Sequence, residues 1–136
     1  MGCLEVSELL LDTHIWFWYL IGSSRLPSGL RDLIDRSVSA CWLSPVSVWE
    51  IGLLAARGRI GLQTDLRRWV HQAREQFPIK DAPLNLEVAL VSQEISLPHR
   101  DPADHFLAAT TVVYNLTLLT VDQHLTEADW LPTRSI

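Results

Sequence analysis

A chain of 136 residues, 48% of them hydrophobic and 20% charged, has the make-up of a soluble globular protein and is not that of a disordered or fibrous one. It is long enough to bury about two thirds of the surface its unfolded form exposes, and one domain over residues 1–136 is expected. A formal net charge of −5 argues against attraction to nucleic acid by bulk charge, so any such contact must come from local patches. The first eight residues hold two glutamates and no lysine or arginine, unlike a secretory signal. The Met1-Gly2 start invites myristoylation, but Val6 stands where that motif wants Ser or Thr. Cys3 and Cys41 make no disulfide framework, and Cys41 reads as a small buried hydrophobe, so a cytoplasmic protein with no membrane contact is expected.

Leu9-Leu10-Leu11 is an aliphatic run too short for a core helix and reads as a strand covered on both faces, ending in Asp12. An acid at the carboxyl end of such a strand belongs to the edge where open α/β sheets bind ligands. The window from Leu9 to Ile21 is too short to span a bilayer. Ile15-Trp16-Phe17-Trp18-Tyr19-Leu20-Ile21 reads as a helix stopped by Gly22. Trp16 and Trp18 cannot share one helix side, so one of them meets something other than the first strand. Pro27 to Arg36 is amphipathic, with Leu30, Leu33 and Ile34 opposite Arg31, Asp32 and Asp35.

Ala40 to Leu43 is a second short apolar run. Ser44 as N-cap and Pro45 at the first position then open a helix to about Arg57, stopped by Gly58. Ser47-Val48-Trp49-Glu50 has capping-box spacing, yet with Ser44 as the cap Glu50 falls in the second turn and has no capping duty. Between Arg57 and Arg74 lie arginines 57, 59, 67, 68 and 74 with His71, opposed only by Asp65. That is either a solvated helix face or a phosphate-contact surface, for which Arg57, Arg59, Arg67 and Arg68 are the candidates. Gln63 to Gln76 has helical spacing in Leu66, Val70 and Phe77, and Phe77 to Lys80 is a candidate third strand. Asn85 to Glu94 reads as a helix with Leu86, Ala89 and Leu90 inward. Asp101 caps a helix opened by Pro102, which places Asp104 third in it, where it would at least complement the helix dipole. Asn115 is a left-handed stop, and Leu116 to Val121 is a buried strand ending in Asp122. A short helical turn follows, with an edge strand expected around Trp130-Leu131.

Strands alternating with helices imply a mostly parallel sheet. Asp12 and Asp122 end strands, while Glu50 and Asp104 sit near helix starts, so all four acids can converge on one crevice. Two carboxylates about 5 Å apart repel by roughly 3 kcal/mol at an effective dielectric near 20, about two pKa units. Four together take up protons or hold a cation, and an all-oxygen set suits Mg²⁺ or Mn²⁺. The histidines at 14, 71, 99, 105 and 124 show none of the usual zinc spacings. Such a cation would serve phosphate-ester hydrolysis, and no activated serine or cysteine stands out.

At these residues the sequence resembles the PIN-domain ribonucleases, and among them the VapC-like toxins of bacterial type II toxin-antitoxin systems. The resemblance is carried by Leu10-Leu11-Asp12-Thr13-His14, by Ser47-Val48-Trp49-Glu50-Ile51 continuing to Gly58-Arg59, by His99-Arg100-Asp101-Pro102-Ala103-Asp104 with Ala108-Ala109, and by Leu119-Thr120-Val121-Asp122. It implies a PIN-like α/β/α sandwich with a mostly parallel central sheet. It also implies Mg²⁺-dependent endonucleolytic cleavage of RNA by a metal-activated water, with Asp12, Glu50, Asp104 and Asp122 as metal-binding, catalytic acids. Asp101, Thr13 and Thr120 would be accessory, Thr120 positioning water or a carboxylate. A homodimer silenced by a cognate antitoxin that covers the pocket is implied as well. The chain departs from many relatives at His105 and Ala103 and in Leu53-Leu54-Ala55-Ala56, and none of these departures removes an acid. Two other readings are a catalytically silent PIN fold that only binds a partner, and a haloacid-dehalogenase-like phosphatase, which needs an aspartate where this chain has His14.

Overall fold

Hydrophobic triplets that alternate their faces set the architecture. In the computed structural model, which describes residues 8–136, five strands form one sheet: β1 (Leu9–Leu11), β2 (Cys41–Leu43), β3 (Lys80–Asp81), β4 (Thr117–Leu119) and β5 (Thr133–Arg134). Their order is β3-β2-β1-β4-β5, and every pairing is parallel. Seven α-helices connect them among the described residues: α1 (Thr13–Ile21), α2 (Ser28–Asp35), α3 (Pro45–Ala56), α4 (Leu66–Gln76), α5 (Leu86–Glu94), α6 (Pro102–Val113) and α7 (Gln123–Thr126). The readings of residues 1–7, including Cys3, Val6 and the amino-terminal signal, lie outside the described residues. No helix among the described residues is long and apolar enough to cross a membrane.

Successive side chains of a strand point to opposite faces, and β1 uses this to feed two cores. Leu9 and Leu11 pack with Cys41, Leu43, Leu119 and residues of α1 to α4, while Leu10 joins Leu118, Ala103, Leu107, Ala108 and Leu125 on the other face. Cys41 is a buried hydrophobe as expected, and its thiol is pushed up to about 12, chiefly by burial. The result is helix, sheet and helix in three layers.

The helix starts follow their cap chemistry. Asp12, Ser44, Asp101 and Asp122 each accept a backbone N–H of the helix they open, and Pro45 and Pro102 occupy first positions. Gly22 and Gly58 take the left-handed conformation just beyond α1 and α3 (φ 67 and 70), as does Asn115 (φ 55) beyond α6. Only Asn115 needs a side chain that tolerates this geometry.

Four expectations are corrected. Phe77 to Lys80 is not a strand: Phe77 closes α4 through its N–H to Ala73, Pro78 has no N–H to give, and pairing begins only at Lys80. The edge strand falls at Thr133–Arg134 rather than Trp130-Leu131, because Leu131 is buried as a core residue before β5 meets β4. The helix expected from Gln63 starts at Leu66, because the Asp65 side chain caps it. In α5 the inward residues are Val88 and Ser92. Leu86, Ala89 and Leu90 face outward, Leu86 being 77% exposed and Leu90 50%, because α5 packs on α6 through one narrow stripe.

Candidate active site

The chain runs outward from β1 through β2 to β3, then returns to place β4 on the other side of β1. At that reversal the connections beyond β1 and β4 leave in opposite directions, which opens a crevice at the strands' carboxyl ends. Asp12 follows β1 directly, and Thr120 to Asp122 follow β4. Glu50 comes from the second turn of α3, after β2, and Asp104 from the first turn of α6, whose far end leads back into β4. The four expected acids thus line one cavity of about 290 Å³, together with Asp101, His14, Trp18 and Val121. Trp16 and Trp18 part company here. Trp16 is fully buried edge-on to Trp69 (5.4 Å, 83°), while half-buried Trp18 forms part of the pocket wall.

Hydroxyls hold the acids in place. The Asp12 carboxylate accepts from the Thr13 N–H (2.7 Å) and from Thr120 Oγ1 (2.6 Å), and Thr120 Oγ1 in turn accepts from the Asp122 N–H (3.1 Å). One threonine therefore ties the ends of β1 and β4 together. Thr13 donates its hydroxyl to Glu50 and lies 2.9 Å from Ser47 Oγ. A hydroxyl has a single proton, so with Glu50 taking it, Ser47 donates to Thr13. Asp104 is paired with His99, Nε2 to Oδ2 at 2.7 Å, and the His99 ring stacks on His124 at 4.3 Å.

No lysine or arginine lines this cavity, and the acids respond to that. Burial pushes the Asp12 carboxyl above the usual range, against the pull of Thr120 and the Thr13 N–H, and Asp122 adds to the rise. Glu50 is raised chiefly by burial, then by Asp12 and Asp101, with Thr13 opposing. Asp104 is pushed up to about 7, first by burial, then by Asp101, Asp122 and Asp12, with His99 opposing. A divalent cation fits this donor set: it supplies the positive charge that three raised carboxyls lack, and the oxygens suit Mg²⁺ or Mn²⁺. Among the described residues, the donor atoms that already converge, within 4.8 Å of one another, belong to His99, Asp101 and Asp104.

His99 is the site residue that sequence spacing missed. Its partner Asp104 is only five residues away, but a loop and a helix cap separate them, so no zinc-type spacing could reveal the pair. Asp101 is both the α6 cap, accepting from the Ala103 N–H at 3.0 Å, and a lining acid. Ala103, in the first turn of α6, is buried in the core, and His105 is turned from the pocket with Nδ1 3.0 Å from the Asp101 carbonyl. Of the four candidate arginines, Arg59 borders a second hollow that shares His14 and Trp18 with the acid pocket. Arg57 is exposed at the end of α3, and Arg67 and Arg68 are exposed on the first turn of α4.

Residues 9–131 match the model of the PIN domain, and the chain belongs to the PIN-domain family. FitAcB from Neisseria gonorrhoeae shares the fold at 23% identity and a TM-score of 0.67, over 93% of this chain and 96% of that one. FitAB bound to an IR36 DNA fragment aligns at 21% identity and TM-score 0.68, over 93% of each chain. VapBC2 from Rickettsia felis, bound to a DNA fragment from its promoter, aligns at 11% identity and TM-score 0.68, over 93% of this chain and 96% of that one. No curated protein matches the chain.

Proposed function

We propose that this protein is a Mg²⁺-dependent endoribonuclease and the toxin of a toxin-antitoxin pair. The observation that carries the reading is that Asp12, Glu50, Asp104 and Asp122, delivered by four separate segments, line one open pocket at the carboxyl edge of a PIN fold with no lysine or arginine beside them. These four would hold the cation, which can also be Mn²⁺. When bound, it supplies polarisation of a phosphoryl oxygen and a lowered pKa for water.

The chain's own residues do the positioning. Thr120 and the Thr13 N–H fix both oxygens of Asp12, and the Thr13 hydroxyl, backed by Ser47, fixes Glu50. These bonds support accessory roles for Thr13 and Thr120, and Asp101 would add negative charge that strengthens cation binding. The hydrogen bond between Asp104 Oδ2 and His99 Nε2 keeps that carboxyl turned into the pocket. RNA phosphates outside the pocket would meet Arg57, Arg59, Arg67 and Arg68.

The partner assignments follow the same reading. An anionic pocket is suited to being covered by a basic segment of an antitoxin, and a structural neighbour from Klebsiella pneumoniae is a toxin-antitoxin complex. Leu84, Leu86 and Leu90 on or beside α5 and Val112 on α6 are exposed apolar side chains, the kind of surface a homodimer would cover. The test is incubation of the purified protein with structured RNAs in Mg²⁺ and then in EDTA. Cleavage with metal and none after chelation is expected; cleavage indifferent to chelation, or absent with metal, overturns the reading.

A further inference from the structure

The wall that His14 and Trp18 give to the acid pocket has a second side. The same two residues, one turn apart on α1, also line an adjoining hollow of about 290 Å³ with Arg25, Arg59, Ile51 and Ile60. The character of the surface inverts across them. The acid pocket has five carboxyl-bearing residues and no cation, whereas the hollow has two arginines and no acid. Among the described residues neither guanidinium makes an ion pair. Trp18 is half-buried with its ring tilted against exposed His14, centroids 5.6 Å apart at 50°.

We propose that this hollow is a subsite for one unpaired nucleotide of RNA next to the phosphate that is cut. Its base stacks on Trp18 over the apolar floor of Ile51 and Ile60, and its outer phosphate meets Arg25 and Arg59. The inference rests on the nuclease reading and adds a base contact on α1 to it. A base can stack on an indole only when it is out of a duplex, so the subsite selects single-stranded RNA or a loop. Charge selects the orientation. Five carboxyls repel a bare phosphate from one side while two arginines attract the next phosphate on the other, so the strand crosses the wall between the pocket and the hollow. Neither Trp18 nor Arg25 was reachable from sequence as an RNA contact, because α1 reads as core and Arg25 stands alone in a turn.

The test uses the full chain carrying Glu50→Gln, which is meant to hold RNA without cutting it, and a labelled oligouridylate followed by fluorescence anisotropy in Mg²⁺. Trp18→Ala is expected to weaken binding about tenfold and Trp18→Phe to restore most of it. Arg25→Gln with Arg59→Gln is expected to lower the slope of log affinity against log salt by about 0.7, one single-strand phosphate. A blunt RNA duplex should bind independently of residue 18. In the otherwise unaltered enzyme the same substitutions raise KM with kcat held, which a merely structural role for Trp18 does not reproduce. RNA that is bound and cut by the unaltered chain but indifferent to Trp18, Arg25 and Arg59 overturns the subsite and leaves the nuclease standing. Binding that depends on these residues with no metal-dependent cleavage overturns the nuclease and keeps the subsite. No RNA binding at all overturns both, and loss of antitoxin binding alone reassigns the hollow to the protein partner.

Discussion

Two acidic regions beside the same sheet are handled in opposite ways. Near β3 each acid has a cation: Glu8 is bound by Lys80 Nζ at 2.8 Å and Asp81 by Arg74, with the Lys80 ammonium also 5.3 Å from the Trp42 ring. Lys80 accordingly holds the Glu8 carboxyl below its usual range. At the switch point between β1 and β4, Asp12, Glu50 and Asp104 receive hydroxyls, a backbone N–H and one imidazole, and their carboxyls are raised. Neutral donors fix a carboxylate's direction without neutralising it. That difference separates an acid kept for structure from one left able to bind a cation.

The largest effect that probes this contrast is on activity. Outer partners of metal ligands cost about 10- to 100-fold when removed, so Asp12→Asn and Asp104→Asn are expected to lower RNA cleavage by at least the upper end of that range. In EDTA at pH 7 the same variants are expected to melt at higher temperature than the unaltered chain, because each removes a buried charge that burial and neighbouring acids disfavour. Asn at position 12 can still cap α1. Melting curves in EDTA check this; a lower Tm for Asp12→Asn shows that its bonds from Thr13 and Thr120 outweigh the repulsion, and the contrast with Glu8 collapses.

The next effect is a pH dependence with a fixed sign. Asp104 has a folded pKa of about 7 against an ordinary 3.8, so the folded state binds the proton more tightly. Its contribution to stability is fully present below about pH 4 and lost as pH rises through about 7. Metal-free protein is therefore expected to lose Tm across that window, Asp104→Asn to flatten the loss, and Mg²⁺ or Mn²⁺ to restore Tm at pH 7 by binding the folded state. A profile that is flat without metal contradicts the shared anionic pocket.

Much of this pocket was legible because polarity changes abruptly at the ends of short aliphatic runs. Leu11 to Asp12 and Leu119 to Asp122 mark strand ends, and Ser44-Pro45 and Asp101-Pro102 mark helix starts, each within a few residues of an acid. What stayed hidden depends on tertiary return. His99 meets Asp104 only because the loop before α6 folds back, and Thr120 reaches Asp12 across 108 residues. The misread stretches fail for a related reason. Phe77 and Ile79 are as buried as strand residues, yet burial next to a proline does not create ladder partners. Leu86 and Leu90 look inward by spacing, but the helix they belong to packs chiefly on α6, which Val88 and Ser92 already face.

A smaller effect separates positioning from folding. Thr13→Val removes the donor to Glu50 and the neighbour of Ser47 while keeping the shape of a buried side chain. Cleavage is expected to fall about 10- to 100-fold, with a Tm loss of only a few degrees, the consequence of about one buried hydrogen bond. Single-turnover rates and melting curves on one preparation check the pair of values. Equal proportional losses in both make Thr13 a fold residue rather than the holder of Glu50.

The smallest effect comes from the paired acids. Glu8 and Lys80 are 39% and 51% exposed in their side chains, so water already screens their attraction and a pair of this kind contributes little. Glu8→Gln is expected to shift Tm by a few degrees at most. Its sign is opposite to that of the pocket. The Glu8 carboxyl lies below its ordinary 4.5 in the folded chain, so its contribution is present above that value and is lost as pH falls through the folded pKa. Substituting Glu8 should therefore diminish the acid-side loss of stability and leave the decline between pH 4 and 7 untouched, while Asp104→Asn does the reverse. Crossed profiles of that kind in a pH series of melts establish that the two acidic regions titrate independently; a single shared profile merges them and removes the distinction between paired and unpaired acids.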